Sequence, residues 1–285
     1  MNPFFRLMRP QQWYKNFVAF IAIVFVGGLF QTDALTKTVL AFVSVCFISS
    51  TNYVINDIID VEKDRAHPEK RNRPIPSGKV KISQAWFLAA ILFVFSLVIS
   101  FTINQFVVFG VAALFFSTLA YSLFFKEIPF LDVIVIAINF VVRAVVGALA
   151  IMVPISPWLV LCSFLLALLL AFSKRKADLL FLGENAAKHK KVLEVYTKSL
   201  LDGFIMSVSS MLLLSYSIYC FLSPVPHSYI IMATIPVASF LVFRYVYLVE
   251  SGNEIARHPE RVWKDREIVT GIAVWTLLIL IVMYR

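Results

Sequence analysis

Asn56, Asp57, Asp60 and Asp64 recur at intervals that gather oxygen atoms on one side of a helix. Asn56, Asp60 and Asp64 stand at i, i+4 and i+8. At 100° per residue they lie within about 80° of one another, and Asp57 lies within about 100° of Asn56. Ser49 and Asn52 continue the polar stripe toward the N-terminus of the same run. An amide oxygen and several carboxylates converging on one face suit a hard divalent cation. Mg2+ in particular is often held by one or two carboxylates together with substrate phosphates. The plainer alternative is a solvated helix end whose acids pair with Lys63 and Arg65.

The residues that follow are cationic. In Asp64–Gly78, five of fifteen residues are Lys, Arg or His, and Pro68, Pro74 and Pro76 stiffen the segment. Beside a cation site, Lys70 and Arg73 read as phosphate ligands, Arg through its fork and Lys as a point charge. A second basic group is Ser173-Lys174-Arg175-Lys176-Ala177-Asp178. It suits another phosphate, or else an i,i+4 ion pair between Lys174 and Asp178. Asp132, Asn139 and Arg143 are spaced so that all three fall within about 40° of one helical face. Arg143 is about 16 Å along that helix from Asp132, deep enough in an apolar run to imply a polar cavity holding an anion. Arg244 lies nearer a helix end, where snorkelling explains it. Lys15 precedes one apolar run and Lys126 closes another, with Tyr121 about a turn and a half earlier.

Other chemistries lack their residues. There is no Gly-x-Ser-x-Gly, no His/Cys spacing for zinc and no glycine-rich phosphate loop. Cys46, Cys162 and Cys220 each sit in an apolar run and read as small buried hydrophobes. Basic links could attract nucleic acid, but membrane topology accounts for them more simply, and no nucleic-acid partner is expected.

The elements that position these groups follow from composition. Of 285 residues, 60% are hydrophobic and 15% charged, and the formal charge is +9. Soluble domains carry about 45–50% apolar and about 25% charged residues, so a soluble enzyme, a disordered chain and a secreted disulfide scaffold are excluded. Nine apolar runs approach the length of a membrane-spanning helix: 16–30, 38–55, 83–101, 106–125, 130–152, 157–172, 201–222, 228–249 and 268–284. The expectation is an all-α polytopic membrane protein forming one integral-membrane domain over residues 1–285, with its first span retained. Links alternate between short and long. The N-terminus and the four links on its side, most of them long, carry 22 of the 26 Lys and Arg, which places them in the cytoplasm and, with nine crossings, the C-terminus outside. The same side holds 16 of the 17 carboxylates. Carboxylates contribute little to topology, so their placement points to chemistry.

Asn56-Asp57-x-x-Asp60-x-x-x-Asp64 followed by Arg73-Pro74-x-x-Ser77-Gly78 resembles the first signature of the UbiA superfamily of intramembrane prenyltransferases. The resemblance implies nine transmembrane helices around a central cavity, with cytoplasmic cap loops after the second and sixth. Members usually carry a second Asp-rich motif after helix six. Here bases replace most of those acids, leaving Asp178. With Arg9-Pro10-x-Gln12-Trp13-x-Lys15-Asn16 and His258-Pro259-Glu260…Asp265-Arg266, this resembles the decaprenyl-phosphate phosphoribosyltransferase branch. That branch implies transfer of 5-phosphoribose from phosphoribosyl pyrophosphate to a polyprenyl phosphate in the cell membrane, toward a lipid-linked pentose for envelope glycans.

On that reading Mg2+ sits on Asn56, Asp60 and Asp64. Lys15, Lys70, Arg73, Tyr121, Lys126, Arg143, Lys174 and Arg175 bind substrate, mostly its phosphates. Asp57, Asp60 and Asp178 support the charge that develops as the anomeric bond breaks. Competing expectations are a prenyltransferase with an aromatic acceptor, which the basic second motif disfavours, and an anion transporter, which nine glycines and one-sided charge disfavour.

Overall fold

The computed structural model describes residues 2–66, 70–183, 190–222 and 228–284, and every regular element among them is helical. Among these residues eight helices are long and apolar enough to cross a membrane. They are α1 (Thr32–Ile59), α2 (Ile82–Ile103), α3 (Gln105–Leu123), α4 (Leu131–Ala150), α5 (Pro157–Leu182), α6 (Lys198–Leu222), α7 (Met232–Glu250) and α8 (Arg266–Tyr284). These correspond to the last eight expected spans, with α1 and α5 running several residues further into the polar links. Their flanks carry exposed Phe87, Phe101, Phe109, Phe116, Phe221 and Leu277. Apolar surface of this extent is untenable in water and ordinary against lipid.

The first expected span takes a different form. Pro10–Phe20 is a 3-10 helix, continued by a short α-helix over Ile21–Phe25. Runs of 3-10 longer than three or four residues are uncommon because their hydrogen bonds are poorer. Side-chain anchors hold this one in place. Trp13 Nε1 donates to Ser50 Oγ (3.0 Å), and Asn16 Nδ2 reaches Cys46 Sγ (3.1 Å). A 3-10 rise of about 2 Å per residue lets this segment extend about 30 Å, the thickness of the hydrocarbon layer.

The chain divides into two compact units. The first contains residues 1–23, 29–125 and 142–155. Small polar residues let α1 and α2 approach closely: Ser44 Oγ bonds the Ser96 carbonyl (2.9 Å) and the Ser100 hydroxyl (2.7 Å), and Ser96 Oγ returns a bond to the Ser44 carbonyl (2.9 Å). Ala41, Val45 and Ile48 of α1 pack with Val107, Val111 and Leu114 of α3 and with Val146 and Ala150 of α4. The second unit contains residues 24–28, 126–141 and 156–285, including α5 to α8 and the first half of α4. Cys220, Ile231, Ile279 and Val282 form one of its cores. All three cysteines are free thiols.

Gly147 marks the tightest approach in the first unit. A Cβ there would fall 1.9 Å from the Ala19 carbonyl oxygen, a backbone atom that cannot rotate aside. Gly147→Ala should therefore displace the 3-10 segment and cost more than the about 1–3 kcal/mol of ordinary overpacking. The expected outcome is a large loss of thermal stability in detergent, and a melting temperature within a degree of wild type would contradict it.

Candidate active site: an ionised cluster in each unit

In the first unit, α1 ends at Asp60, whose backbone (φ −90°, ψ 7°) breaks the regular helix before a short turn over Val61–Arg65. The register survives the break. Asp60 N–H donates to the Asn56 carbonyl (2.9 Å) and Asp64 N–H to the Asp60 carbonyl (2.8 Å), so the acids stay on successive turns. Asp57 and Asp64 are buried, while Asn56 and Asp60 are half-buried.

The link delivers the counter-charges. A 3-10 turn over Lys70–Asn72 leads into a tight reversal in which Ser77 N–H bonds the Arg73 carbonyl (3.0 Å) and Val80 N–H bonds the Pro74 carbonyl (3.0 Å). Gly78 closes it at φ +76°, a conformation that favours glycine. Ile75 and Val80 are buried with Leu7, Val54 and Val61, which anchors the reversal to α1. Arg73 Nη1 thereby donates to both Asp57 Oδ1 (3.0 Å) and Asp64 Oδ2 (2.6 Å). Arg9, in the left-handed region at φ +53°, also bonds Asp57 and lies over the Tyr53 ring at 5.3 Å. Lys70 Nζ is 3.7 Å from Asp64. His67 and Glu69 lie outside the described residues.

Two carboxylates sharing one guanidinium nitrogen must lie close together. Their oxygens are hard donors of the kind a divalent cation shares with substrate phosphates, and Asn56 and Asp60 stand on neighbouring turns of the same stretch. Among the described residues no group of three acids, histidines or cysteines is preassembled as a full protein cage.

Deeper in this unit, Arg143 is buried and its Nε donates to Asn16 Oδ1 (2.9 Å). On α1, the Ser49 hydroxyl and both polar atoms of the Asn52 amide are buried without a hydrogen-bond partner. Buried polar atoms are normally satisfied, so the sequence's polar stripe ends in unmet capacity. Lys15 lies near the Tyr14 ring (5.9 Å), and Tyr121 of α3 is half-buried.

The second unit gathers its charges at the end of α5. Arg175 Nε donates to Asp132 Oδ2 (2.7 Å), and both side chains are buried. Asp178 Oδ2 lies 3.2 Å from Lys190 and 4.0 Å from Arg175, and its Oδ1 lies 3.7 Å from Arg257. Arg257 also covers the Phe181 ring at 3.6 Å. Burial, reinforced by the neighbouring Arg175, pulls the Lys190 ammonium down to about 7, although a third of its side chain remains open. Lys174 is half-buried beside this group, and Lys126 occupies the 3-10 turn over Phe125–Glu127.

Lys176 behaves differently from its two neighbours. It is 0% exposed and pairs with Asp202 of α6 (2.6 Å) and Glu250 of α7, so it fastens three helices. Arg244 is likewise a fastener, bonding Asp265 (2.8 Å) and Glu267 (3.0 Å) in place of the expected snorkelling. Asp265 also caps α8 by accepting from Ile268 N–H (2.9 Å). Arg9, Lys190, Arg257 and Tyr196 were absent from the expected site. Arg9 was visible in the Arg9-Pro10 signature, whereas the other three are brought in by tertiary folding alone.

Helical spans with ionised clusters at their polar ends describe a multi-pass integral-membrane protein. The UbiA prenyltransferase family model matches residues 16–262, and the chain belongs to that family. It is 33% identical to a decaprenyl-phosphate phosphoribosyltransferase of Mycolicibacterium smegmatis, covering 95% of this chain and 89% of that protein. A decaprenyl-phosphate phosphoribosyltransferase of Corynebacterium glutamicum is 29% identical, with 98% and 86% covered. In fold, the chain is similar to a UbiA homolog from Archaeoglobus fulgidus bound to GPP and Mg2+, at TM-score 0.75 and 18% identity over 98% of this chain and 100% of that one. The same homolog has been solved with Cd2+ (TM-score 0.72, 19% identity, 97% and 99% covered).

Removing the charge of Lys176 leaves two acids without their shared cation. Asp202 and Glu250 keep 37% and 48% of their side chains open to solvent, so the cost falls below the about 3–5 kcal/mol of a fully buried pair. Lys176→Met should lower the melting temperature by a few degrees, and adding Asp202→Asn and Glu250→Gln should restore part of it. Full retention of stability in Lys176→Met alone would show that the pairing contributes nothing.

Proposed function

We propose that the chain transfers 5-phosphoribose from phosphoribosyl pyrophosphate to a polyprenyl phosphate and releases pyrophosphate. The observation that carries this reading is a near-full-length likeness to decaprenyl-phosphate phosphoribosyltransferases, joined to a second motif built from Lys174 and Arg175. A phosphorylated sugar and a phosphorylated lipid present more phosphate than a prenyl diphosphate and an aromatic acceptor, and cations answer that need directly.

The acceptor phosphate is already ionised, so one of its oxygens attacks the anomeric carbon without a general base. The bond from that carbon to the pyrophosphate oxygen breaks, and pyrophosphate leaves with the electron pair. Asn56, Asp60 and Asp64 would hold Mg2+, which when bound neutralises charge on the leaving group. The chain's own cations do the remaining work. Lys70 and Arg73 in the first unit, and Lys126, Lys174 and Arg175 in the second, bind phosphate oxygens and offset repulsion between anions. Asp57 and Asp178 each sit among cations, and this reading gives them the orienting of Arg9, Arg73, Lys190 and Arg257. Arg143, Asn52 and Ser49 would meet a polar group brought in by the lipid. Lys15 and Tyr121 are assigned to the edge of the site. The distribution of Lys and Arg supports a cytoplasmic N-terminus and cytoplasmic polar links in the cell membrane, with the C-terminus outside.

Purified protein in detergent, given labelled phosphoribosyl pyrophosphate and a polyprenyl phosphate, should form labelled lipid with Mg2+ and none after chelation. Turnover of a prenyl diphosphate with no labelled lipid would transfer the assignment to prenyl transfer. Asp60→Asn should lower turnover while leaving a folded protein, by more than the about 10–100-fold that losing an outer-shell partner of a metal ligand costs. Near-normal turnover would remove Asp60 from the metal site.

The reading also has a pH signature. Lys190 attracts phosphate only while protonated, and burial, joined by Arg175 and Lys174 and opposed by Asp178, pulls its ammonium down to about 7. Raising pH from 7 to 9 removes that charge, so the donor KM should rise. Lys190→Arg keeps the charge throughout and should flatten the profile. A donor KM equally flat in both proteins would detach Lys190 from substrate binding.

A further inference from the structure

Tyr196 is a buried tyrosine whose hydroxyl uses both its donor and its acceptor capacity. It donates to Asp132 Oδ1 (2.7 Å) and accepts from the Phe130 N–H (2.9 Å). Asp132 in turn uses its second oxygen to accept from Arg175 Nε (2.7 Å). Each carboxylate oxygen thus has a fixed partner, and the carboxylate plane cannot swing without breaking one bond. The guanidinium is gripped through Nε, with Nη1 on the side of Asp178 (4.0 Å), the carboxylate that also gathers Lys190 and Arg257.

The hydroxyl does more than fill space. Phe130 stands in the left-handed region at φ +68°, a conformation costly for an aromatic residue. Its ring meets Tyr196 edge-on (5.5 Å, 90°) and Phe204 (6.0 Å, 85°). The rings alone would pack equally well with phenylalanine at 196. Among the described residues the phenol ties this strained turn to the carboxylate. Burial and the adjacent Asp132 carboxylate push the Tyr196 hydroxyl above its usual ionisation range, so it remains a neutral donor.

We propose that Tyr196 and Asp132 are positioning residues that orient the Arg175 guanidinium toward a phosphate of the donor. This rests on the phosphoribosyl-transfer reading for the identity of the donor, but the relay itself applies to any phosphorylated donor. Asp132 lies at the start of α4, Arg175 near the end of α5 and Tyr196 in the polar link before α6.

The test uses full-length protein in detergent, with melting temperature, kcat and both substrate KM values measured. Tyr196→Phe should raise the donor KM about tenfold, the scale of one charge-linked hydrogen bond, with kcat within about twofold and acceptor KM unchanged. Asp132→Asn keeps the side chain's size but weakens the hold on Arg175, and should raise donor KM further. Arg175→Lys removes Nε and should make Tyr196→Phe nearly silent when the two are combined. Tyr245→Phe, at a buried tyrosine of α7 outside this relay, should leave donor KM unchanged. A fall in melting temperature and kcat with an unaltered donor KM in both Tyr196→Phe and Asp132→Asn would overturn the proposal. So would additive effects of Tyr196→Phe and Arg175→Lys. If wild type turns over a prenyl diphosphate and no phosphoribosyl donor, the function reading fails on its own. The same KM series with that diphosphate then decides the relay.

Discussion

A buried carboxylate is tolerable only when a cation and hydrogen bonds replace the water it has lost, and that constraint organises both units. In the first, Asp57 and Asp64 share Nη1 of Arg73, with Arg9 and Lys70 adding charge from either side. In the second, Arg175 bonds Asp132 and approaches Asp178, whose remaining charge is met by Lys190 and Arg257. The arginine fork suits this work because one planar group can satisfy acceptors in different directions. Such pairs add little net stability, since desolvation offsets much of the attraction. Their value is geometric, because each fixes side chains whose charges a phosphorylated substrate can use.

The scaffold around these clusters supplies precision by close approach. The serine bonds between α1 and α2 hold the helix that carries Asn56, Asp57 and Asp60. Gly147 lets the backbone of Ala19 lie directly against α4, in the segment where Asn16 meets Arg143. The Arg73–Gly78 reversal is anchored by buried Ile75 and Val80, so the guanidinium is presented by a packed turn instead of a loose loop. Sequence spacing, small residues and the acidic helix end therefore act together on one group of atoms.

Much of this was legible before any coordinates. Eight apolar runs announce α1 to α8 because lipid leaves a helix few alternatives. The acidic stripe from Asn56 to Asp64 is visible because helical period and sequence spacing are the same information. The Arg-Pro-x-x-Ser-Gly tail is visible as a signature, although the turn it forms is shown by the structure. What stayed hidden is partner choice across long separations. Nothing local says that Arg9 will bond Asp57, or that Tyr196 will reach Asp132, because packing brings those pairs together. The 3-10 form of Pro10–Phe20 was hidden for the same reason, since its hydrophobic pattern suits either helix and distant side chains select one.

The run Lys174-Arg175-Lys176 shows how far charge counting can carry a functional reading. Consecutive helical residues point about 100° apart, so three adjacent cations cannot serve one ligand equally. Lys176 turns inward and is consumed by Asp202 and Glu250, with no surface left for substrate. Arg175 turns toward Asp132 and is aimed by it. Lys174 remains at the half-buried edge. Replacing acids by bases in this motif therefore does not create a uniform positive patch. It divides labour between a structural lysine, an oriented arginine and a peripheral lysine, and Lys190 and Arg257 from other segments add their charges beside Asp178. The chemistry of the motif is set by helix phase as much as by composition.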